Sequence, residues 1–152
     1  MRKHLAILAT VTALVFAADA DAAQARDGLY RSVAVDTSRV AMRGHRHLAG
    51  ALKPMLAGEL SKAFGPRLGQ RGSQLTVRIT RIELPPSAGE ENWGGALEDV
   101  IEGVVIVPGR GQVPIRVVLP QNTAGAWYAR NFDERRMFRL IEAFAQWTAR
   151  EV

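Results

Sequence analysis

Residues 96–119, ALEDVIEGVVIVPGRGQVPIRVVL, decide the fold of this chain. Two β-branched runs, Val100 to Val107 and Val113 to Val118, flank Pro108-Gly109-Arg110-Gly111-Gln112. A short glycine-bearing connection between two such runs is a hairpin signal, so Ala96–Val107 and Val113–Leu119 are read as antiparallel strands. Close to the turn both parities are apolar. This part of the sheet is therefore expected to be covered on both sides or to form an interface.

Working outward from the hairpin, Leu75, Val77 and Ile79 alternate with Thr76, Arg78 and Thr80, and then Ile82 and Leu84 appear on the opposite parity. An inserted bulge residue near Arg81, or cover on the second face of the far end, produces such a change of phase. Pro85-Pro86 ends the strand. Upstream, Leu48, Leu52, Leu56, Leu60 and Phe64 recur every four residues and predict a helix over Arg46–Phe64. Pro54 lies within it, so the helix is expected either to kink there or to begin near Ala51–Lys53. Gly65-Pro66 is its stop. A first strand is read at Leu29–Val35, ending near Asp36-Thr37-Ser38, with imperfect alternation around Tyr30. At the other end, Asn131-Phe132-Asp133-Glu134 has the Asn-x-x-Glu form of a capping box. Met137, Leu140, Ile141, Phe144 and Trp147 follow as an apolar stripe, with Arg135, Arg136, Arg139, Glu142 and Arg150 assigned to solvent. The order strand, helix, strand, strand, strand, helix specifies a two-layer α+β domain: a four-stranded mixed sheet, its first two strands parallel, with both helices on one face.

The first residues have a different character. Met1-Arg2-Lys3-His4 is basic, Leu5 to Ala18 is apolar, and Asp19 to Ala25 offers three A-x-A frames. This is the pattern of a Sec-type signal peptide over residues 1–22, with cleavage between 20 and 25 and Ala22 or Ala25 preferred, and a single domain over 26–152. The apolar run is shorter than the ~20 residues a membrane span needs. The chain contains no cysteine, which removes disulfides, thiol catalysis, cysteine-ligated metals and the lipobox thiol that carries a lipid anchor. The expected destination is the periplasm or the medium, free of a lipid anchor and, after cleavage, of a membrane span.

Cleavage removes two basic and two acidic residues, so the net charge of +5 belongs to the domain itself. Lys53 and Lys62 are the only lysines beyond the leader; the rest of the basic charge is arginine. Arginine's planar fork suits phosphate and carboxylate, which points to an anionic envelope component as a partner, alongside an envelope protein, but the arginines are scattered and an ordinary solvated surface accounts for them better. Nucleic acid is not expected, since export separates the two and no aromatics are interleaved with the arginines.

Catalytic patterns are weak. His45 and His47 in Gly44-His45-Arg46-His47 are the only histidines beyond the leader, and no third metal ligand follows by spacing. No serine lies in Gly-x-Ser-x-Gly or Ser-x-x-Lys. Glu90, Glu91, Glu98, Asp99 and Glu102 offer carboxylates for glycosidase chemistry, but a solvated loop and strand edge is the better reading of them. The glycine-bearing stretches Gly69–Gly72 and Gly109–Gly111 are turns, because neither opens a helix after a strand. Two connections stand out instead. Pro86–Gly95 carries Trp93, and Gln121–Asn131 carries Trp127, Tyr128 and Arg130. Aromatics beside an arginine on long connections make either a recognition surface or a lid over the core edges, and the residues support the two readings equally.

With Val33–Val35, the Leu48–Phe64 helix, the Leu75–Leu84 strand and the hairpin in this order, most of the chain resembles small uncharacterised bacterial periplasmic and outer-membrane lipoprotein families. It is more distantly similar to the N-terminal domain of the TolB proteins. The missing lipobox cysteine departs from the lipoprotein members. The resemblance implies a fold and a compartment. The expected function is a non-enzymatic periplasmic binding or envelope-assembly module that needs no cofactor. The alternatives are a small periplasmic hydrolase or metal-dependent enzyme using His45 and His47, and a homo-oligomeric structural envelope protein joined through the hairpin.

Overall fold

The computed structural model describes residues 29–44, 46–86, 98–126 and 130–152. In chain order the elements are β1 (Tyr30–Asp36), α1 (Ser38–Met42), α2 (Arg46–Phe64), β2 (Ser73–Glu83), β3 (Glu98–Val107), β4 (Gly111–Pro120) and α3 (Phe132–Glu151). Single 3-10 turns, Gly65–Arg67 and Gln121–Ala124, follow α2 and β4. The sheet has the order β1-β2-β3-β4, with β1 and β2 parallel and the other neighbours antiparallel. The fold is thus the expected α+β arrangement. The leader, its cleavage site and His45 lie outside the described residues.

The phase change in β2 is a bulge. Ile79 pairs with Gly103 and Arg81 with Glu102, which leaves Thr80 without a partner. One inserted residue turns both parities to the same side, so Leu75, Val77 and Ile79 before it and Ile82 and Leu84 after it all meet the helices. The same device corrects the imperfect alternation of β1. A register shift between Tyr30 and Ser32 brings Tyr30 into the core with Val35, where its ring stands edge-on to Phe64 at 6.0 Å.

The core lies between the sheet and one helical layer. Leu52, Leu56, Leu60 and Phe64 of α2 and Leu140, Ile141 and Phe144 of α3 are fully buried against Leu75, Val77, Ile79 and Ile101. Each such side chain contributes about 1.5–3 kcal/mol of transfer free energy. Gly103 is where α3 comes closest to the sheet. A β-carbon there would stand 2.9 Å from Phe144 Cζ and 2.8 Å from the Arg78 carbonyl, so the glycine is required by contact and not by its backbone angle.

Several expectations are revised. α2 does not begin near Ala51–Lys53 but runs from Arg46 with Pro54 inside it. Pro54 and Gly50, the residue four back, are both exposed, so the carbonyl that loses its donor faces water. The hairpin loop is shorter than read, with Gly109 and Gly111 at positive φ supplying the reversal. The Asn131 side chain makes no capping hydrogen bond. Its backbone carbonyl instead accepts from Arg135 N, while Asp133 is taken up by an ion pair with Arg136. The five-residue α1 was not anticipated; Val40 is its single buried anchor.

The other face of the sheet carries Asp36–Arg78 (2.8 Å), Arg81–Glu83 (2.6 Å) and Arg116–Glu102 (3.2 Å) around half-buried Val104 and Ile106. No helix among the described residues covers it. Double cover near the hairpin is therefore not found there.

Candidate functional site

Strand direction sets where the connections emerge. β1, β2 and β4 run the same way and β3 runs against them, so the ends of β1, β2 and β4 share one end of the sheet with the start of β3. α2 runs back along β1: Thr37 Oγ1 donates to the Ala49 carbonyl at its beginning, and Phe64 meets Tyr30 at its end. α3 starts at this same end. The connections 87–97 and 127–129, which hold Trp93, Trp127 and Tyr128, lie outside the described residues, but their attachment points do not.

Those attachment points are fastened to one arginine. Arg136, one turn into α3 and 2% exposed, clasps Asp99 at the start of β3 with two nitrogens, Nε donating to Oδ2 at 3.0 Å and Nη2 to Oδ1. Nη2 also donates to the Pro85 carbonyl at 2.7 Å, and Nη1 to Asp133 Oδ1 at 2.8 Å. Phe132 lies under the guanidinium, its ring centroid 5.5 Å away. Gln121 Nε2 donates to the same Pro85 carbonyl at 3.1 Å. Arg135 Nη2 reaches the Ala126 carbonyl at 3.4 Å. Both ends of the 87–97 connection and the first end of the 127–129 connection are thereby tied to the start of α3.

The electrostatics follow from burial. A buried guanidinium is tolerable only when paired and fully hydrogen-bonded, and here every nitrogen has an acceptor. The Asp99 hydrogen bonds, followed in effect by its charge and by Asp133, raise the Arg136 pKa further against the opposing effect of burial. The cluster is a fixed structural clamp and offers no proton to transfer.

Sequence reading placed Arg136 on the solvated face of the last helix and Asp99 on a solvated strand edge. Both are buried. The signal for Arg136 was present: it stands four residues before Leu140 and eight before Phe144, in line with the apolar stripe. Asp99 is consequently unavailable as one of a pair of catalytic carboxylates, and Glu102 is engaged by Arg116 and Arg81. Arg130 is exposed in the turn before α3. His47 is exposed in the first turn of α2. Among the described residues, no group of three or more His, Cys, Asp or Glu is placed to hold a metal ion.

A cleft of about 360 Å³ runs between the end of β4 and α3, lined by Leu119, Thr123, Arg139, Glu142, Ala143 and Gln146. Arg139 and Glu142 pair across 3.2 Å, and the Thr123 hydroxyl donates to the Pro120 carbonyl at 2.8 Å. No helix among the described residues is long and apolar enough to cross a membrane.

No protein-family model matches the chain. No curated protein matches it. Among solved structures it is similar to a protein of Caulobacter crescentus provisionally described as a lipoprotein, at 12% identity and a TM-score of 0.38, over 80% of this chain and 82% of that one.

Proposed function

We propose that this protein is a non-enzymatic binding module of the bacterial envelope, exported by its leader to the periplasm, that holds a partner at the end of the sheet where the two tryptophan-bearing connections attach. The observation that carries the reading is the shared Pro85 carbonyl, which accepts from both Arg136 and Gln121 and joins the bases of both connections. A recognition surface needs a fixed base, because ordering mobile side chains on binding costs affinity. Trp93, Trp127, Tyr128 and Arg130 are the residues assigned to contact, as aromatics and arginine carry most energetic contacts.

The test is photocrosslinking in living cells, with a photoreactive residue placed in turn at positions 93, 127 and 110. Position 110 lies in the hairpin turn at the opposite end of the sheet. Discrete adducts from 93 and 127 and none from 110 support the reading. Adducts of equal yield from all three, or from 110 alone, contradict it. Sequencing of the exported protein's N-terminus tests the leader, with a start between residues 21 and 26 expected.

A further inference from the structure

From the residue after Asp36 to the residue before Glu59 the chain carries Arg39, Arg43, Arg46 and Lys53 and no acidic residue. These residues build α1, the turn at Arg43–Gly44 and the first half of α2, so the described part of the corner where the two helices meet carries only positive charge. Arg39, Arg43, Arg46 and Lys53 are exposed, and none of them has an ion-pair partner among the described residues. On the sheet, Arg78, Arg81 and Arg116 are each paired with a neighbouring carboxylate, while Arg31 of β1 is exposed. The stretch from 37 to 58 thus carries a formal charge of +4 against the +5 of the whole chain.

An apolar side chain stands in its midst. Val40 anchors α1 in the core, and Met42, two residues on and hence on the opposite side of the helix, is 77% exposed between Arg39 and Arg43. A free phosphate or a small anion gains nothing from an exposed methionine. A lipid surface accepts both parts, the guanidinium groups at the phosphates and the thioether among the upper acyl carbons.

We propose that the α1–α2 corner is a docking surface for an anionic phospholipid bilayer, with Arg39, Arg43 and Arg46 on the headgroup phosphates and Met42 inserted between them. The corner shares one end of the sheet with the Arg136 cluster but lies at the β1 edge, and the proposal stands whether or not a partner binds at the connections.

The test is flotation of the purified exported protein with vesicles, either phosphatidylglycerol mixed with phosphatidylethanolamine or phosphatidylcholine alone. Binding to the anionic vesicles, weakened by salt, is expected, with little on the neutral ones. Each arginine should carry roughly fivefold in affinity, so R39Q/R43Q/R46Q should lose roughly a hundredfold. M42Q should lose several-fold while leaving the salt dependence in place. Circular dichroism of both variants, whose changes are all on exposed positions, checks that the fold is retained. Equal binding to both vesicle types, or binding unchanged in the triple variant, overturns the proposal. Displacement by millimolar inorganic phosphate together with an unaffected M42Q also overturns it and assigns the corner to soluble phosphate.

Discussion

The two long helices lie on the same face of the sheet and start at the same end of it, yet their first turns are opposites. α3 opens with Asp133 and Glu134, where the helix dipole favours negative charge, and it sends Arg136 inward to a buried carboxylate. α2 opens with Arg46 and His47 and has no acidic residue in its first turn. The start of α3 is finished inside the molecule. The start of α2 is left positive, which costs some stability and suits the anionic surface proposed above.

The largest effect expected from breaking the α3 side is at Arg136. Arg136→Ala leaves Asp99 charged, buried and unpaired, and Asp99→Ala does the same to the guanidinium; each should cost about 3–5 kcal/mol in denaturant unfolding. Asp99→Leu combined with Arg136→Met should recover most of that loss, because an apolar pair has no charge to strand. If the double variant is as unstable as the single ones, the clamp matters for its shape and not for its charge.

Gly103→Ala attacks the same helix further along. The added methyl meets both Phe144 and the Arg78 backbone, so a loss of about 1–3 kcal/mol is expected, again by denaturant unfolding. Phe144→Leu in the Gly103→Ala background should restore part of it by making room.

On the α2 side, Asp36 sits just before the basic stretch and is held by Ser38 and Arg78, which lower its pKa to about 2. A carboxylate whose folded pKa is depressed adds stability above its unfolded pKa, near 4, and loses it as pH falls through the folded value. The pair is partly exposed to solvent, which reduces its worth to about 1 kcal/mol. Asp36→Asn should remove that amount at neutral pH and flatten the stability profile between about pH 4 and pH 2, measured by thermal unfolding across that range.

Much of this contrast was legible before any coordinates. The apolar spacing of Leu48 to Phe64 and of Met137 to Phe144 placed both helices, and the phase change after Ile79 announced the bulge that Thr80 makes. Such patterns are local and repeat, so periodicity finds them. Arg136 stands on the apolar stripe, but its charge argued for solvent, and the partner that makes its burial tolerable, Asp99, is 37 residues away. The later start offered for α2 was wrong because proline's cost depends on which way the freed carbonyl faces, and a sequence does not show that. The short α1 rests on one contact from Val40, too few residues for any period to register. Trp93, Trp127, Tyr128 and His45 lie outside the described residues, and the candidate site is legible there only through its anchors.

The smallest effect in stability is the most direct test of the contrast between the two helix starts. Arg46→Glu gives α2 the kind of first turn that α3 already has. Relieving the helix dipole is worth about 0.3–1 kcal/mol, which raises the midpoint of thermal unfolding by a few degrees. The measurement is unfolding temperature and anionic-vesicle binding on the same purified variant. A higher midpoint together with at least fivefold weaker binding is the predicted result. A variant that binds the vesicles as tightly as the natural chain contradicts it, whatever its stability.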